Sequence, residues 1–275
     1  MKTKILLAVS AGLVTTVAAQ VPDFVHLPVQ SAVPLQDKGY DKADPFAVAF
    51  AVRTIQFSGH AWWVKTSSGR VGPGPNYFSD SLNNVWVDTD GRLHLKITKV
   101  KNRWYCAEVV SAEIFGYGSY RWELASPVDS FDRNVVLGLF TWSNTSEFAN
   151  GEIDIEFARW GSRSQYPNAQ FVVQPFDAPD HMIRFNMPAG ITESTHRFLW
   201  APEGVNFQSL AGHWLGEPPE SAIVLDWSFL SPWPPPTETE NARMNLWLYQ
   251  GAAPSDRLAV EVVFKSFTFV PYPES

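Results

Sequence analysis

Residues 151–157 read Gly-Glu-Ile-Asp-Ile-Glu-Phe, so that Glu152, Asp154 and Glu156 alternate with Ile153, Ile155 and Phe157. A β-strand turns successive side chains to opposite sides. On a strand the three acids therefore share one face, each about 6.6 Å from the next at roughly 3.3 Å per residue. Glu152 and Glu156 then have Cα atoms about 13 Å apart, and leaning their side chains toward each other by roughly 4 Å each leaves about 5 Å between carboxyls. Retaining cleavage of a glycosidic bond requires a separation of roughly 5–5.5 Å, with one carboxylate attacking the anomeric carbon and the other protonating the leaving oxygen. A solvated strand face shows the same alternation. It usually mixes charge signs, however, because like charges side by side are unfavourable, and no Lys or Arg interrupts this triplet. Three close acids cannot all ionise easily, which holds one of them protonated and able to act as a general acid.

Positioning such a triplet requires a sheet, and the chain supplies strand-like segments throughout. Arg92–Thr98 alternates, with Leu93, Leu95 and Ile97 inward, and follows the hairpin signal Asp90-Gly91. Further strands are expected near 135–142, 152–158, 169–175, 182–186, 196–201, 223–227, 244–249 and 260–270, and Cys106 lies in a strand-like stretch as a buried small hydrophobe. Turn-rich segments such as 67–76 and 231–236 separate them, and no long amphipathic helix competes. Short strands spaced by turns predict an all-β sandwich of two packed antiparallel sheets.

The 275 residues suit a single domain, expected over 49–275 after an extended, proline-containing arm at 20–48. Residues 1–19 have a basic start, an apolar stretch too short to span a bilayer and a small-residue end, the pattern of a secretory signal peptide. A secreted protein with no membrane partner is therefore expected. Its single cysteine rules out an intrachain disulfide, so the core must suffice alone. Formal charge is −7, or −9 with Lys2 and Lys4 of the leader set aside. That balance disfavours nucleic acid and strongly anionic polysaccharides, and favours a neutral glycan.

The stretch Glu152-x-Asp154-x-Glu156, with Glu108 and Ser111 upstream, Tyr117-Gly118, and Leu137–Trp142 before it, resembles glycoside hydrolase family 16. That resemblance implies a jelly-roll β-sandwich of the concanavalin A-like type, an open cleft over a concave sheet, and retaining hydrolysis of β-1,3 or β-1,4 linkages. It implies Glu152 as nucleophile, Glu156 as general acid/base and Asp154 as a hydrogen-bond partner of the nucleophile. The spacing is similar to that of lichenases and xyloglucan-active members. The chain departs from lichenases at Asn150 and Gly151, where they carry an aromatic and an acid or amide, and at Val110 and Val172, where they carry arginine and asparagine.

Twelve tryptophans suit a groove for sugar rings, which stack on aromatic faces. Trp142, just before the acidic strand, and Trp247, on a face with Asn245 and Tyr249, are expected to bind substrate. Gln170 is a candidate partner for a sugar or a catalytic carboxylate, with a cross-strand structural amide as the alternative, and Glu108 is held alongside it. Six scattered histidines form no metal-like pair, no Gly-x-Ser-x-Gly elbow occurs, and no cofactor is expected. Asn144-Thr145-Ser146 is a glycosylation acceptor. The expectation is a secreted, monomeric, retaining endo-β-glucanase. A transglycosylase using the same residues and a non-catalytic lectin-like protein are the rival readings.

Overall fold

The computed structural model describes residues 53–146, 149–231 and 234–273. The expected signal peptide and the arm at 20–48 lie outside them. The strands are β1 (Thr54–Phe57), β2 (His60–Val64), β3 (Tyr77–Phe78), β4 (Val85–Val87), β5 (Leu93–Val100), β6 (Arg103–Ser111), β7 (Gly118–Leu124) and β8 (Val135–Trp142). They continue as β9 (Ile153–Ala158), β10 (Ala169–Val173), β11 (Met182–Phe185), β12 (Ser194–Ala201), β13 (Gly204–Ala211), β14 (Ile223–Leu230), β15 (Asn241–Leu248) and β16 (Val260–Pro271). Three single-turn 3-10 segments are the helical content of the described residues.

All the neighbouring strands pair antiparallel except β3 with β6. One run orders β11-β10-β9-β8-β15-β6, and the other orders β5-β16-β7-β12-β13-β14; the β5–β6 hairpin joins them. The sheet thereby folds back on itself as a jelly-roll sandwich with two apolar faces enclosed. Phe171 of the first run stacks on Phe207 of the second with ring centroids 4.9 Å apart, and Phe157 meets the ring of His196 at 4.6 Å. Such contacts require the two layers to interdigitate at close-packed density.

The alternation in β9 is resolved as its sequence dictates: Ile153, Ile155 and Phe157 are fully buried in this core, which leaves Asp154 and Glu156 on the opposite face. Leu93, Leu95 and Ile97 enter the core in the same way, and the Asp90-Gly91 signal forms the β4–β5 turn, closed by Asp88 and Arg92 main-chain bonds. The structure differs from the sequence expectation in extent. Tyr249 opens a 3-10 turn instead of ending β15. β13, like β1–β4 and β7, was not delimited by the sequence reading, and it pairs along the whole of β12.

Candidate active site

Cross-strand register assembles the site. Arg184, Gln170, Glu156, Gly138, Asn245 and Glu108 stand opposite one another in a single line from β11 across to β6. The next line runs Val172, Asp154, Phe140, Arg243, Val110. Residues directly opposite share a face, so these side chains occupy the face that β9 turns away from the core. Trp142, paired with Asn241, lies at the Glu152 end, and Trp247, paired with Val136 and through it Ala158, lies at the Glu156 end. Glu152 is the residue just before β9.

All three acids are drawn toward the protonated state. Burial raises Asp154 well above the usual carboxylate range, with Glu152 and Glu156 adding to the effect. Burial and then the charge of Glu156 push Glu152 up to about 8, opposed by a hydrogen bond from Asp154 and by the Arg243 guanidinium. Glu156 rises to about 7 through burial, opposed by Gln170 and Arg184. Two carboxyls can share a hydrogen bond only if one carries the proton. The bond between them raises Asp154 and lowers Glu152, so the shared proton is drawn toward Asp154, which is 4% exposed. Gln174 Nε2 donates to Asp154 Oδ2 at 3.2 Å and fixes it from the other side.

Glu156 and Glu152 are half-buried. Gln170 Nε2 donates to Glu156 Oε2 at 2.7 Å, and Arg184 Nε donates to Gln170 Oε1 at 3.2 Å. The Gln170 amide thus meets the Glu156 carboxylate directly across the β9–β10 pairing. Arg243 is buried, with Nε donating to Asn241 Oδ1 at 2.9 Å and its guanidinium 5.6 Å from the Trp142 ring centre. Trp142 Nε1 donates to Asn144 Oδ1 at 2.8 Å, so the glycosylation acceptor sits beside this indole. Trp160, whose ring centre is 6.1 Å from that of Trp247 and 5.6 Å from that of Tyr249, extends the aromatic surface at the far end.

Asn245 is nearly enclosed, and its Oδ1 has no hydrogen-bond partner. Gly138 makes its place: a Cβ there would lie 2.6 Å from that oxygen. A buried acceptor left unpaired is costly and calls for a donor from a water or ligand. Glu108 is placed differently from its neighbours in the line. It is 1% exposed, accepts from Lys65 Nζ at 2.8 Å, and has Arg243 Nη1 at 3.7 Å, so its carboxylate faces cations inside the wall instead of open groove.

The predicted residues Glu152, Asp154, Glu156, Glu108, Trp142, Gln170, Asn245 and Trp247 thus share one face. Arg184, Arg243, Gln174, Lys65 and Trp160 were missed, because their sequence positions say nothing about register. A separate surface depression lined by Leu82, Trp86, Lys96 and Tyr105 contains none of the acids.

No family model matches the chain. A β-glucanase of Paenibacillus macerans is 29% identical over 122 residues, which is 44% of this chain and 49% of that protein, so the chain spans about half the length of the curated relative it matches. Among solved structures, a β-glucanase of Bacillus licheniformis superposes with TM-score 0.57 at 19% identity, covering 77% of this chain and 92% of that one. A β-1,3-1,4-glucanase from a mouse hindgut metagenome gives 0.56 at 19% identity over 77% and 93%. A Mycobacterium tuberculosis protein described as an immunostimulatory antigen and pseudo β-1,3-glucanase gives 0.54 at 19% over 74% and 88%. The resemblance to β-glucanases read from the motif is supported by sequence over part of the chain and by the jelly-roll fold over most of it.

Proposed function

We propose that this chain is a retaining glycoside hydrolase of the family 16 kind, secreted through its expected leader and acting within the chain of a neutral β-glucan. The observation that carries this reading is the single polar face on which Glu152, Asp154 and Glu156 stand together, where burial draws each carboxyl toward its protonated form. A solvated structural face has no reason to hold three acids out of water side by side.

In this reading Asp154 keeps its proton and stabilises the carboxylate of Glu152, which attacks the anomeric carbon. As the C–O bond breaks, its electron pair passes to the leaving oxygen, which takes the proton of Glu156. The result is a glycosyl ester on Glu152. Glu156, now a carboxylate, is held by the Gln170 amide and by Arg184 behind it. It then removes a proton from water, which attacks the same carbon and frees Glu152. The two half-reactions require one proton on the glutamate pair, and that pair titrates as a unit. Trp142 and Trp247 at the two ends of the acidic line supply apolar surface for sugar rings.

The fold is also that of a protein described as a pseudo-glucanase, which keeps a non-catalytic carbohydrate-binding role as the second reading. The test is incubation with mixed-linkage β-glucan, laminarin and xyloglucan, following reducing ends and chain lengths. New reducing ends support the hydrolase, redistributed lengths without them indicate a transglycosylase, and binding without either indicates the lectin-like role.

A further inference from the structure

The approach to Glu152 is unusual in its backbone. Ala149, Asn150 and Gly151 all have positive φ, at 41°, 61° and 58°. Left-handed residues normally occur singly, and a non-glycine one persists only where its surroundings over-determine it. The surroundings here do so. Ser143 N–H donates to Asn150 O at 2.6 Å, Glu152 N–H to Ala149 O at 3.3 Å, and Gln174 N–H to Glu152 O at 3.1 Å.

Thr141 completes the arrangement from the core side. Its hydroxyl donates to Gly151 O at 2.8 Å and accepts from Ile153 N–H at 3.2 Å. One oxygen therefore fastens the peptide groups on both sides of Glu152. Thr141 is fully buried, out of reach of any substrate. Above the same turn lies Glu240, also fully buried, which accepts from Glu238 N–H at 2.9 Å and from Thr237 Oγ1 at 3.1 Å. Gly151 lies so close to it that a Cβ would meet Glu240 Cγ at 2.6 Å. A side chain at 151 is excluded both by φ and by this contact.

We propose that Thr141 is the positioning residue of Glu152: its hydroxyl, with Glu240 packed over Gly151, holds a left-handed turn that aims the nucleophile along the acidic face. This inference rests on the proposed hydrolase. The turn is also where the chain departs from the lichenase pattern, at Asn150 and Gly151. Neither residue contacts substrate, and both act through the main chain of Glu152.

The test is steady-state kinetics on the β-glucan that the wild type cleaves, comparing wild type, Thr141→Ser, Thr141→Val and Glu152→Gln. Valine matches threonine in shape and removes the hydroxyl. A nucleophile displaced by a fraction of an ångström loses rate with little loss of binding, so Thr141→Val is expected to lower kcat by about 30- to 100-fold with KM within about twofold. Thr141→Ser, which keeps the oxygen, is expected within about threefold of wild type on the same basis. If Thr141→Val does not yield folded protein, Thr141→Cys replaces it, with the same expectation. Near-normal kcat in Thr141→Val while Glu152→Gln is inactive overturns the positioning role and leaves the hydrolase standing. Equal losses in the Ser and Val variants, or a loss expressed in KM, overturn it as well. A wild type inactive on every glycan overturns the hydrolase reading and the positioning role with it.

Discussion

Gln170 Nε2 lies 2.7 Å from Glu156 Oε2, and the two residues face each other directly in the β9–β10 register. The amide donates, so it favours the charged form of Glu156 and counteracts burial. Gln170→Ala removes that support. The value for Glu156, about 7 in the intact site, should rise, and the step in which Glu156 acts as a base should slow. A pH–rate profile checks this: its alkaline limb, where Glu156 loses the proton it gives to the leaving oxygen, is expected to move to higher pH in the variant, whereas an unmoved limb would show the contact to be structural only.

The intact site should give a bell-shaped profile. Glu156 and Glu152, raised to about 7 and about 8, form one coupled pair, so the two proton losses belong to the pair and not to either residue. Below the lower value both glutamates are protonated and no nucleophile remains; above the upper one neither carries the proton needed by the leaving oxygen. The rate should peak between the two proton losses of the pair, above the ordinary carboxylate range, and fall on both sides. A monotonic profile through that window would contradict one shared proton.

Suppressed charge also has a stability cost whose sign is fixed. A carboxyl whose folded value lies above its unfolded one favours the folded state while protonated, and that contribution is lost as pH rises through the folded value. For Glu152 the loss spans from about 4.5 to about 8. Glu152→Gln, neutral throughout, should therefore melt higher than wild type at pH 8.5 and show no such advantage at pH 4. Thermal melts at the two values decide it.

The alternation at 152–157 was legible because a strand's period is local: Ile153, Ile155 and Phe157 enter the core, and the acids must then face the other way. The electrostatic partners were not. Gln170 and Arg184 meet Glu156 across two strand pairings, and Arg243 lies about ninety residues from Glu152, joined to it by the β8–β15 register. β13 escaped notice because its inward side carries Ser209, bonded to the buried His196, while Leu210 is buried beside it. Polar and apolar residues there do not sort by face, and the period-two signal fails. Glu108 illustrates a third limit. Its type suggested a sugar contact, but burial assigns it to Lys65 and Arg243.

That assignment can be measured. The Lys65 and Glu108 side chains are 4% and 1% exposed, and removing Lys65 leaves the Glu108 carboxylate buried with only the more distant Arg243 Nη1 at 3.7 Å. Lys65→Met should cost about 3–5 kcal/mol in denaturant unfolding, and Lys65→Met with Glu108→Gln should recover much of it. A single variant as stable as wild type would show that the pair is not holding β2 to β6.

The central claim is that Glu152 forms a covalent bond to the sugar and Glu156 then directs water to the same face. The most direct measurement follows the first product released from a β-glucan by proton NMR, before mutarotation. The β-anomer should appear first in wild type, and Glu152→Gln should release product slower by about three orders of magnitude or more. Initial α-anomer, or a Glu152→Gln variant that turns over at a near-normal rate, would contradict it.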